Sequence, residues 1–183
     1  MSRRINHLSD YTPAASDTFL LDTNILIKLF YPVDFDNKSE PYEDYYRKLL
    51  SAKCTLALTS IQVSEFINRC IRIQYNLYRN EHPEVADFKR DYRGTEDYAN
   101  RMKGILQILK TVIPRFTLVN DDFAGIGFDN IINHNFSFDF NDAFIMAFAQ
   151  LHNAIVLTDD RDFASYSSSA KIVTNNRKLL MFS

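Results

Sequence analysis

Cysteine is scarce. Cys54 and Cys70 are the only two in 183 residues, too few for a disulfide framework and too far apart for a redox or zinc pair. Glycine and proline are also sparse, at 4 and 5, which excludes collagen-like and linker-dominated chains. The longest apolar run is Ala143 to Ala149, far below the roughly 18–20 residues a membrane span needs. The start, Met1-Ser-Arg-Arg-Ile-Asn-His, has basic residues with no apolar stretch behind them, so it does not read as a secretory signal. The expectation is an intracellular, cytoplasmic protein without a membrane partner.

What is present looks globular. Apolar residues make up 46% and charged residues 24%, enough to bury one ordinary core and tight for two. The formal net charge of −2 argues against a generic nucleic-acid coat. It also hides an asymmetry. Between Arg69 and Arg115 there are 10 Lys/Arg against 6 Asp/Glu, a local balance of +4 set in an acidic frame. That basic middle reads either as mixed charge on helical surfaces or as a functional patch.

Residues 1–17 are polar and without period, and are expected to form a loose N-terminal arm. Thr18-Phe-Leu-Leu is a short apolar run ending at Asp22, the pattern of a buried strand with a polar residue at its carboxyl end. Thr55-Leu-Ala-Leu, Phe116-Thr-Leu-Val, Ala154-Ile-Val-Leu and Lys171-Ile-Val-Thr repeat it. Helices are expected over Asn24 to Phe30, from Pro41 to about Ala52, and from a capping box at Thr59 and Gln62. Further helices are expected over Thr95 to about Val112, Asp121 to Asn133, and Phe140 to Leu151, the last apolar nearly all round. Residues 33–40 and Asn133 to Asp139 read as polar connections. Short apolar strands alternating with helices imply an α/β fold with a parallel sheet covered on both faces.

Ligands bind at the carboxyl ends of strands in such sheets. Asp22 ends the first expected strand, and Glu65 lies early in the helix after the second. Asp142 lies in the first turn of the apolar helix, and Asp159, Asp160 and Asp162 follow the fourth strand. Carboxylates gathered on one edge repel and are costly to bury unless a cation compensates. Oxygen-only ligands suit Mg²⁺ or Mn²⁺ rather than zinc. Singly, each acid has a plainer reading as a cap, a dipole partner or a solvated turn. Glu65, flanked by Phe66 and Ile67, resists that reading.

Four segments together resemble the PIN-domain family of metal-dependent ribonucleases, including the VapC-type toxins. They are Leu20-Leu-Asp22-Thr-Asn24, Thr59-Ser60-Ile-Gln-Val-Ser-Glu65, Asn141-Asp142-Ala143 and Leu157-Thr158-Asp159-Asp160-Arg-Asp162-Phe163. The resemblance implies a three-layer α/β/α domain over 18–183 with a mainly parallel central sheet and a helical extension at about 69–115, after the second strand. It makes Asp22, Glu65, Asp142 and Asp160 catalytic acids that hold the metal, with Asp162 as the alternative fourth acid and Asp159 the weakest candidate. Thr23, Asn24, Ser60 and Thr158 match supporting polar positions.

The implied activity is that of a divalent-metal-dependent endoribonuclease, hydrolysing phosphodiester bonds in RNA with Mg²⁺ or Mn²⁺. One acid, Glu65 or Asp160, would accept a proton from water. Arg69, Arg72, Arg90 and Arg93, interleaved with Tyr75, Tyr78, Tyr92 and Tyr98, are candidate RNA contacts, cations for phosphates and rings for bases. Resemblance to the toxins also implies an antitoxin partner and a homodimer. The rival is a catalytically silent PIN-like scaffold that binds RNA or protein. A dehalogenase-type phosphatase needs a second Asp where Asn24 stands, and Gly125-Ile-Gly127 lacks the third glycine of a dinucleotide-binding turn.

Overall fold

The computed structural model describes residues 4–32, 39–132 and 139–182. Six strands form the sheet: β1 (Ile5–His7), β2 (Thr18–Leu21), β3 (Thr55–Leu58), β4 (Thr117–Leu118), β5 (Ile155–Leu157) and β6 (Lys171–Thr174). Their order is β1-β6-β5-β2-β3-β4, and every pairing is parallel. The helices are α1 (Thr23–Phe30), α2 (Glu40–Ser51), α3 (Ser60–Glu81), α4 (Glu96–Val112), α5 (Phe123–Ile126), α6 (Phe128–Ile132), α7 (Phe140–Leu151) and α8 (Arg177–Leu180).

Alternation along the strands builds three layers, because successive side chains leave a sheet on opposite faces. Phe19, Leu21, Leu56, Leu58, Ile155 and Leu157 join a core roofed by α1 to α4. Leu20, Ala57, Val156 and Ile172 join a second core under α5 to α8. The expected three-layer α/β/α architecture is the one observed. Among the described residues no helix is long and apolar enough to cross a membrane.

Chain direction across the sheet reverses at β2. From there β3 and β4 lie to one side, while β5 and β6 lie to the other. The carboxyl ends of β2 and β5 therefore flank a topological switch point, where open α/β sheets leave a crevice.

Two expectations are corrected. Residues 1–17 are not a loose arm where described. Ile5–His7 pairs with β6 in register with Ile172 to Thr174, and Ile5 and Leu8 are buried. Three residues are too few to carry an alternation, and the partner edge supplies the order. Tyr11 then packs edge-on against Phe19 at 6.1 Å, and Asp17 accepts from Tyr11 Oη and Ala14 N. The helix expected over Asp121 to Asn133 is instead α5 and α6, split at Gly127. Its φ of +79° suits glycine and ends the first turn. Residues 33–38 of the first polar connection and 133–138 of the second lie outside the described residues.

Candidate active site

Asp22 closes β2 and caps α1. Its amide donates to Leu157 O at 2.9 Å, and its carbonyl accepts from Ile25 and Leu26. Asp22 is 2% exposed, and its carboxylate accepts a 2.7 Å bond from Thr158 Oγ1, just after β5 across the switch point. Burial pushes its pKa up to about 7; repulsion from Glu65 and Asp160 adds to this, while the Thr158 bond and Arg69 oppose it.

Glu65 projects from the second turn of α3. Thr23 Oγ1 donates to its Oε2 at 2.9 Å, and Arg69 Nη1 lies 3.5 Å from its Oε1. The start of α3 is fixed by the expected capping box. Gln62 Oε1 accepts from Thr59 N at 2.9 Å, while Gln62 Nε2 donates to Leu21 O at 2.7 Å. This fully buried glutamine ties the end of β2 to the helix carrying Glu65.

Asp142 sits in the first turn of α7, whose N-cap Asp139 accepts from the amides of Asn141 and Asp142. Burial raises the Asp142 pKa to about 8, with the negative charges of Asp22, Asp139, Asp160 and Glu65 adding to the rise. Asp160 follows β5. Its amide donates to Thr158 Oγ1 at 2.9 Å, and its Oδ1 accepts from Asp162 N to cap a short 3₁₀ turn. Thr158 thus links Asp22 and Asp160 through one hydroxyl.

Asp159 faces the other way. It pairs with Lys28 Nζ at 2.6 Å and accepts from Tyr42 Oη at 2.6 Å, which itself accepts from Asn175 N. Asp162 is exposed, with Arg161 3.9 Å away. The charges of Glu65 and Asp160 thus reach both Asp22 and Asp142, and Asp139 also acts on Asp142.

Thr23 and Thr158 bond to those acids directly. Asn24 instead accepts from Asp159 N at 3.4 Å and steadies the β5 loop. Ser60 does not reach the acids. Its amide and hydroxyl both donate to Asp121, which pins the front of α3 to the segment after β4. Sequence reasoning missed Gln62 and Asp139 as site supports. An Asp three residues before Asp142 was a readable N-cap signal.

Among the described residues, no three His, Cys, Asp or Glu side chains converge closely enough to hold an ion as they stand. The donor chemistry nevertheless fits a hard cation. The donors are oxygen only, and the charged forms of Asp22 and Asp142 are penalised by burial and mutual repulsion.

The basic middle is arranged differently from expectation. Tyr75 and Tyr92 are buried and touch each other and Phe88, and Tyr92 also touches Tyr78 and Tyr98, at centroid distances of 5.2–5.8 Å. These rings are the core that joins α3 to α4, and Tyr75 and Tyr92 present no face to a base. Arg72 lies over Phe88 at 3.8 Å and Arg93 at 5.6 Å. Arg90 makes a two-point contact with Asp91, at 2.7 and 3.0 Å.

The sequence matches the PIN domain over residues 19–168, and the chain belongs to the PIN-domain family. Its fold is similar to those of a number of solved structures, three of which follow. VapBC2 from Rickettsia felis, bound to a DNA fragment from their promoter, is 16% identical with a TM-score of 0.54, covering 86% of this chain and 98% of that one. PAE2754 from Pyrobaculum aerophilum is 17% identical with a TM-score of 0.53, covering 94% and 93%. FitAcB from Neisseria gonorrhoeae is 18% identical with a TM-score of 0.51, covering 85% and 96%. The curated proteins contain no match.

Proposed function

We propose that this chain is a divalent-metal-dependent endoribonuclease, acting in the cytoplasm as the toxin of a toxin–antitoxin pair. The observation that carries this reading is the placement of Asp22, Glu65, Asp142 and Asp160 at one switch point, where their charges oppose one another. Asp22, Glu65, Asp142 and Asp160 would hold Mg²⁺ or Mn²⁺. Bound there, the ion supplies Lewis-acid charge neutralisation to a scissile phosphodiester.

The chain's own groups do the rest. Thr158 and Thr23 aim the Asp22 and Glu65 carboxylates by donating to one oxygen of each. Both Glu65 oxygens are engaged, whereas Asp160 is held through Oδ1 by Asp162 N. Glu65 and Asp160 are the two candidates for taking the proton from the attacking water. Membership of the PIN family and likeness to VapBC2 and FitAcB support an antitoxin partner, while the homodimer rests on the resemblance to the toxins alone.

The test is RNA cleavage by wild type, Asp22→Asn and Asp142→Asn, with Mg²⁺ or Mn²⁺ and with EDTA. Wild type should cleave only with metal, and each isosteric variant should lose about a hundredfold or more. Cleavage in chelator would remove the metal from the reading. A wild type that binds neither metal nor RNA would leave the silent scaffold in its place.

A further inference from the structure

Arg69 stands one helical turn beyond Glu65 on α3, with Nη1 3.5 Å from Glu65 Oε1. The other carboxylate oxygen is taken by Thr23 Oγ1 at 2.9 Å. Glu65 is therefore held from two sides, and the two holds differ in kind. Thr23 is fully buried and fixed in the first turn of α1. The Arg69 side chain is 48% exposed, on a long flexible stem, in an i,i+4 pair that water screens.

The neighbouring cations are committed elsewhere. Arg72 and Arg93 lie over Phe88, and Arg90 is locked to Asp91. Among the described residues, the ion pair of Arg69 is with Glu65. Its field also reaches Asp22, where it opposes the repulsion from the other acids. Arg69 thus balances part of the negative charge on Glu65 and Asp22.

We propose that Arg69 is an exchangeable counter-cation: it holds Glu65 while no divalent ion is bound, and turns to a phosphate of the RNA strand once an ion has claimed that carboxylate. This rests on the nuclease reading above and adds an order of events to it. A carboxylate neutralised by a divalent ion attracts a guanidinium less. The guanidinium stays charged throughout, and its planar fork matches phosphate as well as carboxylate. The exchange needs only side-chain rotation at a half-exposed position, with no movement of α3.

The experiment is calorimetric titration of Mn²⁺ alone into wild type, Arg69→Gln and Arg69→Lys. It is paired with fluorescence anisotropy of a 2′-O-methylated single-stranded oligoribonucleotide over a range of salt, with and without Mn²⁺. Loss of a competing cation should tighten Mn²⁺ binding to Arg69→Gln by roughly three- to tenfold, with Arg69→Lys near wild type. In the presence of Mn²⁺, the salt dependence of RNA binding should be shallower in Arg69→Gln by about 0.7 in log–log slope. Without Mn²⁺ the slopes should coincide.

Unchanged or weaker Mn²⁺ binding by Arg69→Gln would overturn the exchange. So would a slope difference of the same size with and without metal, which would make Arg69 a permanent phosphate contact. If wild type binds Mn²⁺ and cleaves RNA while Arg69→Gln titrates identically, the exchange alone falls. If wild type binds no Mn²⁺, the nuclease reading falls and the exchange with it.

Discussion

The carboxyl edge of the sheet and the tip of the α3–α4 extension are both rich in charge, and they treat it in opposite ways. At the extension, Asp91 is paired with Arg90, Asp97 with Arg101, and Arg72 and Arg93 lie on Phe88. Asp91, beside Arg90, is held down at about 2. At the edge, burial and repulsion push Asp22 and Asp142 up to about 7 and 8, with Arg69 as a partial counterweight. One region is locally balanced and reads as architecture. The other keeps an uncompensated demand for positive charge, and that imbalance is the mark of a site.

The contrast can be sharpened by titrating metal-free stability. Raising the pKa of a buried acid stabilises the fold below the unfolded value and removes that stability as pH climbs to the folded value. For Asp22 the window runs from 3.8 to about 7. At about 1.4 kcal/mol per unit, the metal-free protein should lose on the order of 4 kcal/mol across it. Asp142 extends the loss toward pH 8. Urea unfolding at stepped pH should show this fall, and Asp22→Asn should flatten it. A flat wild-type profile would mean that the edge is not under charge stress.

The extension should respond to loss of packing rather than charge. Tyr92 is fully buried among four rings, with its hydroxyl donating to Asp97 at 2.8 Å. Tyr92→Ala should cost about 3–4 kcal/mol in urea unfolding and leave Mn²⁺ binding unchanged. Loss of metal binding at full foldedness would show that the two regions are coupled. The smallest effect belongs to Arg90→Gln, because Arg90 is exposed and already paired with the half-buried Asp91. RNA affinity should not change measurably in anisotropy titrations, and a clear drop would restore Arg90 as a nucleic-acid contact.

Much of this was legible from spacing alone, for a physical reason. A parallel strand buried on both faces has to be a short apolar run, so the polar residue that ends it stands out, as Asp22 does after Leu20-Leu21. The Thr59–Gln62 box is equally local, because both of its bonds close within one turn. What stayed hidden depends on contacts remote in sequence. The family pattern ranks Asp160 above its neighbour Asp159, but the contacts with Lys28 and Tyr42 that turn Asp159 away are not readable from spacing. Ile5–His7 becomes a strand because β6 waits at the edge. Tyr75 and Tyr92 look like binding rings until Phe88 folds against them.

The 2.7 Å bond from Thr158 to Asp22 joins positions 136 residues apart. It forms only when β5 slots beside β2, and β5 follows β2, β3 and β4 in the chain. A nascent or prematurely ended chain carries Asp22 and Glu65 without the strand that brings Asp160 beside them. Because a chain grows from its amino end, the four acids of this edge meet only after α7 and β5 have been made and β5 has docked beside β2.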